Sequence, residues 1–413
     1  MAHIWQSLRS GDRLTPARCR AYSLILLAVC VLAMAGWIAA SHRMIDRNGK
    51  PIGTDFSSFY AAGSFAMEGR AADAYVPALQ QAREQQMFGA STPFFIWLYP
   101  PVFFLVAAPL AALPYPLALA VWQGATLALY LLVIAVILRA ARRQHRAIAG
   151  TWLPVAAAFP AVFINLGHGQ NGFLTASLLG AALVSLPRRP ILGGALMGLL
   201  CYKPQFALLF PVALLAAAQW RAFAAASLTV IAVAALSYLV FGADAWTAFI
   251  ASTELARKLL LEQGAVGFEK LQSVFAAVRL WGGGIPLAYA AQGAVSGLVI
   301  CCTAWVWHTS DQHPLKSALL VAATTLASPH LLDYDLMLLA PALAFLTAAM
   351  LERGVRDYEL SLLAFVWVAP LVARSIAGLA FIPVGLIATL TLFGLIMQRS
   401  LREHAFPKVA AFA

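Results

Sequence analysis

Long apolar runs separated by short polar connections alternate along almost the whole chain. A helix needs about 20 apolar residues to cross a bilayer. Runs near that length occur at 21–40, 94–113, 117–138, 148–164, 222–241, 286–307 and 376–397, with shorter apolar pieces at 172–186, 191–202, 205–218, 317–329, 336–350 and 360–373. The pattern predicts an all-α, polytopic transmembrane helical bundle of roughly 11–13 membrane helices, because exposed sheet edges are not tolerated in hydrocarbon. The runs are continuous, whereas outer-membrane barrel strands alternate over about ten residues, so a barrel is excluded.

Composition agrees: 62% of the 413 residues are hydrophobic and 11% are charged. The first run is too long, and followed by too many others, for a cleavable signal peptide. Arg9, Arg13, Arg18 and Arg20 precede it and favour a cytoplasmic N-terminus. The net charge of +11 is concentrated in connections such as 139–146 and 187–190. At the ends of apolar helices such charge is a topology signal or a contact with membrane phospholipids, and no nucleic-acid partner is expected. If every long run crosses, 139–146 falls outside, against the positive-inside rule. Either one of the two runs between 94 and 138 does not cross, or this loop breaks the rule. Cys19, Cys30, Cys201, Cys301 and Cys302 have neither zinc-site nor disulfide-framework spacing and read as small apolar fillers.

The expected organisation is a basic cytoplasmic arm at 1–20, a transmembrane domain at 21–397 and a tail at 398–413. Connections 41–93 and 243–285 are too long for minimal hairpins. The first contains two amphipathic stretches, DFSSFYAAGSFAMEGRA and VPALQQAREQQMFG, expected to lie along the extracytoplasmic interface with apolar faces towards lipid. Together the two connections are expected to form a roof over a membrane-level cavity.

Several polar residues sit where they are expensive. Lys203 interrupts an apolar stretch beside Pro204, which can break the helix there. Its ammonium either meets a phosphate-bearing ligand in a cavity, snorkels to the interface or pairs with a carboxylate. In ASPHLLDYDLMLLAPAL (327–343), His330 can contact a phosphate or an acceptor, and Asp333 and Asp335 can bridge to it or cap the following helix. Their D-x-D spacing raises a metal site, but two carboxylates alone do not define one, so neither metal nor cofactor is expected. In NLGHGQNGFL (165–174), glycines surround His168 and Gln170 in a polar turn. Gln170 can donate and accept towards a sugar hydroxyl or simply brace the loop, and Asn165 or Asn171 can cap a helix. Asp55 follows the first span and heads an amphipathic helix; it is an N-cap or a general base. Tyr60 either shapes the cavity beside it or sits in the lipid interface.

These residues fall in an ordered set: D-F-x-x-F-Y-x-A-G at Asp55–Gly63, Tyr75, Y-P-P at Tyr99–Pro101, G-Q-N at Gly169–Asn171, K-P at Lys203–Pro204 and S-P-H-x-x-x-Y-D around Ser328–Asp335. On that set the chain resembles glycosyltransferase family 87, membrane enzymes of GT-C fold, over about residues 20–397. The resemblance implies an inverting hexosyltransferase, commonly mannosyl. Its donor would be a polyprenyl-phosphate sugar and its acceptor an envelope lipid or glycan. It also implies an inner-membrane enzyme working on its extracytoplasmic side. Asp55 takes the role of the base, Lys203 and His330 face the donor phosphate, and Tyr99, Gln170 and Asp335 line or brace the cavity. No G-x-G-x-x-G unit for a nucleotide sugar is present. The main rival is a transporter or flippase of lipid-linked saccharides, which would be better served by repeated halves, and no strong internal repeat is present. An envelope acyltransferase or phosphotransferase lacks a recognisable nucleophile motif.

Overall fold

The prolines and glycines that punctuate the apolar runs set where helices begin, break and end. In the computed structural model, which describes residues 2–405, eight helices are long and apolar enough to cross a membrane: Pro16–Ala39, Tyr115–Ile137, Ile148–His168, Trp220–Glu262, Ile285–Thr309, Asp333–Arg353, Glu359–Ala380 and Val384–His404. Pro occupies the first turn of several, where its missing N–H costs nothing. Four shorter helices, Gly172–Ser185, Pro190–Tyr202, Pro204–Ala216 and His313–Ala327, pack among them. Among the described residues these eight long and four short helices run back and forth between two ends, a number inside the expected range. Among the described residues there is no sheet, only isolated bridges. The protein is an all-α, multi-spanning membrane bundle.

Side-chain contacts define the two ends. At one, Arg9 pairs with Asp357, His313 bonds the Leu183 carbonyl, His308 bonds the Ala216 carbonyl, and buried Arg399 pairs with Glu359. This end carries the basic arm. At the other, the Gln272 N–H donates to Leu331 O and the Asp333 N–H to Lys270 O, stitching the second long connection onto the 328–335 loop.

Two expectations are corrected. Residues 94–113 do not form a spanning helix: the chain is without regular structure at 93–100, then makes the short helices Pro101–Phe103 and Phe104–Ala111. Pro93, Pro100, Pro101 and Pro109 deprive the run of helical N–H donors. Four of its aromatic residues are instead buried in protein: Trp97, Tyr99, Phe103 and Phe104 pack on one another and on Phe59. Because this run does not cross, 139–146 lies at the same end as the basic arm. The charge conflict therefore disappears.

The second correction concerns the amphipathic stretches of the first connection. Helix Thr54–Met67 buries Phe56, Phe59, Ala61, Ala62 and Phe65, and Gly63 packs so closely on Phe104–Ala111 that an added Cβ would lie 2.2 Å from Ala107 O. Helix Pro77–Phe88 buries Gln80, Glu84 and Phe88. The apolar face of Thr54–Met67 meets protein, not lipid, and Pro77–Phe88 turns inward a largely polar face with Leu79 left exposed; the irregular 93–100 segment needs this cover, and Glu84 takes the Phe95 N–H. Of the expected tail, 398–405 continues the last helix and the remainder lies outside the described residues.

Candidate active site

A cavity of about 590 Å³ opens at the end opposite the basic arm. Its wall comes from segments far apart in sequence: Asp55 and Ser58, the irregular 93–100 strip, His168 and Gln170, Tyr202 to Gln205, part of 249–270, His330 to Asp335, and Arg374.

Asp55 stands in the first turn of Thr54–Met67, one residue in from its start. The cap position belongs to Gly53, in left-handed conformation (φ 76°), so Asp55 does not serve as the N-cap. Its Oδ2 accepts from Gln170 Nε2 at 2.8 Å. Its Oδ1 faces Thr54 Oγ1 at 3.4 Å and His168 Nδ1 at 3.7 Å. The side chain remains 18% exposed, enough for a partner in the cavity to reach it. Gln170 is itself held: its Oε1 accepts from Tyr99 Oη and the Asn171 N–H, and its carbonyl accepts from Gln123. Asn165 caps the next helix, taking the Gly172 N–H on Oδ1 while its Nδ2 donates to the Ala161 and Tyr334 carbonyls.

The turns carrying Asp55 and Gln170 lie back to back. Gly169 is left-handed (φ 66°), and a Cβ there would approach Phe56 Cβ to 2.5 Å and Gly53 Cα to 3.3 Å. Trp122 Nε1 donates to the Gly169 carbonyl at 3.1 Å, and Tyr115 Oη donates to that of Ile52 at 2.6 Å. Only glycine gives both the dihedral and the space. The carboxylate is thus oriented by rigid neighbours before any substrate arrives.

Elsewhere on the wall, Lys203 ends the first half of the broken 190–216 helix pair. Its Nζ donates to Asp335 Oδ1 at 2.6 Å, and both side chains are at most 4% exposed. Of the roles open to Lys203, the carboxylate pair is therefore formed. Asp335 Oδ2 also accepts the Leu332 N–H, the capping role expected of it. His330 lies on the same wall, with its backbone N–H held by Ser328 Oγ. Burial lowers the His330 pKa and favours the neutral imidazole, with the Asp335 charge working the other way. Tyr334 stands between two cations: Lys203 Nζ is 5.3 Å and Lys270 Nζ 5.7 Å from its ring centre. Among the described residues no group of three or more His, Cys, Asp or Glu could hold a metal ion.

The structure brings Asp55, Tyr99, Gln170, Lys203, His330 and Asp335 to one cavity. Tyr60 is not on its wall; its hydroxyl donates to Leu113 O and its ring packs edge-on against Tyr115. Sequence reasoning left Lys50, Lys270 and Arg374 unmarked, yet all three line the cavity. Nothing separates them locally from ordinary interfacial charges. His168 had a signal, being polar within an apolar stretch, but only the fold shows it beside Asp55.

No curated protein and no solved structure matches the chain. The description Glycosyltransferase family 87 matches residues 97–329, which include Tyr99, Gln170 and Lys203 and stop short of Asp55, His330 and Asp335. That match spans more than half of the chain, so the protein belongs to glycosyltransferase family 87.

Proposed function

We propose that the protein transfers a hexosyl unit, with mannosyl the family-based preference, from a polyprenyl-phosphate sugar to a hydroxyl of an envelope lipid or glycan, with inversion. The observation that carries this reading is one part-exposed carboxylate, fixed by Gln170 and aimed into a cavity whose opposite chemistry is cationic and imidazole-bearing. Asp55 takes the acceptor proton as the acceptor oxygen attacks the anomeric carbon, and the sugar–phosphate bond breaks with its electron pair on the phosphate. Direct displacement needs this single base and no protein nucleophile.

Lys203 and His330 are the donors assigned to the departing phosphate. The Lys203–Asp335 pair keeps the ammonium in place without substrate, so phosphate would add to an existing pair or compete with Asp335 for it. A neutral His330 offers the phosphate one ring N–H. The donor's polyprenyl chain would reach the cavity from the bilayer. By the positive-inside rule the basic arm end is cytoplasmic, which leaves the cavity facing the periplasm or cell exterior in the plasma (inner) membrane.

The test is product formation by purified wild type and Asp55→Asn with a panel of polyprenyl-phosphate sugars and envelope lipid and glycan extracts, read by mass spectrometry and by the product's anomeric configuration. Inverted product from wild type alone is expected, with donor binding retained in the variant. Near-normal turnover by Asp55→Asn would remove it as the base. Translocation of the same lipids across vesicles without any product would favour transport.

A further inference from the structure

Each transfer leaves one proton on the base, and a base enclosed by protein and two bound substrates needs a way to lose it. Asp55 Oδ2 is engaged by the Gln170 amide N–H, a group that donates and cannot receive a proton. Oδ1 faces a different pair. Thr54 Oγ1 lies 3.4 Å from Oδ1 and 2.8 Å from His168 Nδ1, whereas the direct His168–Asp55 separation is 3.7 Å. The direct path is too long for a hydrogen bond, but the hydroxyl can close it by accepting on one side and donating on the other.

Resting on Asp55 as the base, we propose that Thr54 and His168 form the proton exit of this site. The acceptor O–H bond breaks and its proton goes to Asp55. Asp55 then passes a proton to Thr54 Oγ1 as the Thr54 hydroxyl gives its own to His168 Nδ1. This leaves Asp55 ionised, Thr54 neutral and His168 an imidazolium. His168 then loses one ring proton to cavity water, its remaining proton exchanges through water from Nδ1 to Nε2, and the Thr54 hydroxyl turns back towards the freed Nδ1, which resets the chain. Protons are conserved at each step and no oxidant or further reactant is needed.

Two observations favour a relay over a plain tie between two turns. First, His168 lines the cavity and its side chain is 24% exposed, which gives the ring access to water. Second, groups of both charges face His168, Asp55 and Asp333 together with Lys270 and Arg374, with Tyr334 edge-on at 6.2 Å. A carrier has to take up and release its proton, which surroundings of mixed sign permit better than one strong counter-ion would. Gly53 and Gly169 hold the turns that carry Thr54 and His168 in contact, so the path is set before substrate binds.

The experiment compares single-turnover and steady-state rates of the full-length protein in lipid nanodiscs, with the polyprenyl-phosphate sugar and acceptor that give product in the panel assay. His168→Asn retains a side-chain nitrogen to bond Thr54 but cannot carry a proton. Its first turnover should be far less affected than its steady-state rate, which should fall on the order of 10-fold or more. Added imidazole should recover that loss, Thr54→Val should show the same split, and Thr54→Ser should recover turnover relative to Thr54→Val. Equal loss in both regimes without imidazole rescue, or no loss at all, would overturn the relay and leave His168 a structural tie. The Asp55→Asn control separates the two ideas: if it turns over, the base assignment fails, whereas a failed relay leaves that control inactive.

Discussion

Replacing Lys203 by methionine removes the ammonium from a pair whose side chains are 4% and 2% exposed and whose Nζ–Oδ1 distance is 2.6 Å. Asp335 would keep only the Leu332 N–H, at 3.2 Å on its other oxygen. Breaking a buried pair by deleting one member costs about 3–5 kcal/mol, because the remaining charge is stranded, whereas removing both charges together can be close to neutral. Lys203→Met should therefore lose about 3–5 kcal/mol in an SDS titration of the purified protein in mixed micelles. The double variant Lys203→Met/Asp335→Asn should recover most of that loss. Donor affinity separates structure from function: if Lys203 also meets the donor phosphate, the restabilised double variant still binds donor weakly while acceptor binding is spared. A Lys203→Met loss under about 1 kcal/mol would refute the burial argument. Unchanged donor affinity in the stable double variant would reject the phosphate contact.

Glu84 offers a pH test outside the spanning helices. Its carboxyl is buried, accepts the Phe95 N–H at 2.9 Å, and is pushed up to about 8 chiefly by burial. The folded value lies above the unfolded one, so this group's contribution is fully present below about pH 4.3 and is lost as pH rises through about 8. Glu84→Gln should thus be more stable than wild type at pH 9 and similar at pH 4, measured by thermal unfolding; a pH-independent difference would contradict it. Gly194→Ala tests helix contact: a Cβ there would lie 2.1 Å from Ala222 O, so helix Pro190–Gly198 must move off Trp220–Ala256, at a cost of about 1–3 kcal/mol in the same SDS titration. An unchanged midpoint would show that the two helices have room to part.

Some of this protein was legible residue by residue. The length of an apolar run and the charges at its ends are local quantities that bilayer thickness and membrane potential read directly, so the all-α, many-pass bundle and its basic end followed from them. The breaks at Lys203–Pro204 and around Pro329 were equally local, since proline removes a donor wherever it stands. The run 94–113 misled because hydrophobicity does not distinguish lipid from protein interior; its prolines decided the conformation and the helices of the first long connection supplied the cover. The same ambiguity hid the buried faces of Thr54–Met67 and Pro77–Phe88.

The site itself needed the tertiary structure. Asp55 and Gln170 are 115 positions apart, Lys203 and Asp335 are 132 apart, and Thr54 and His168 are 114 apart. No periodicity connects such pairs. Sequence marked each charge as costly in an apolar setting and so picked out Asp55, Lys203, His330 and Asp335 singly. Only packing decided which charge compensated which, that Tyr60 turns away to Leu113, and that His168, Lys270 and Arg374 share the cavity. The physical reason is that a cavity's chemistry depends on distances between side chains from different helices, which are set when the bundle closes.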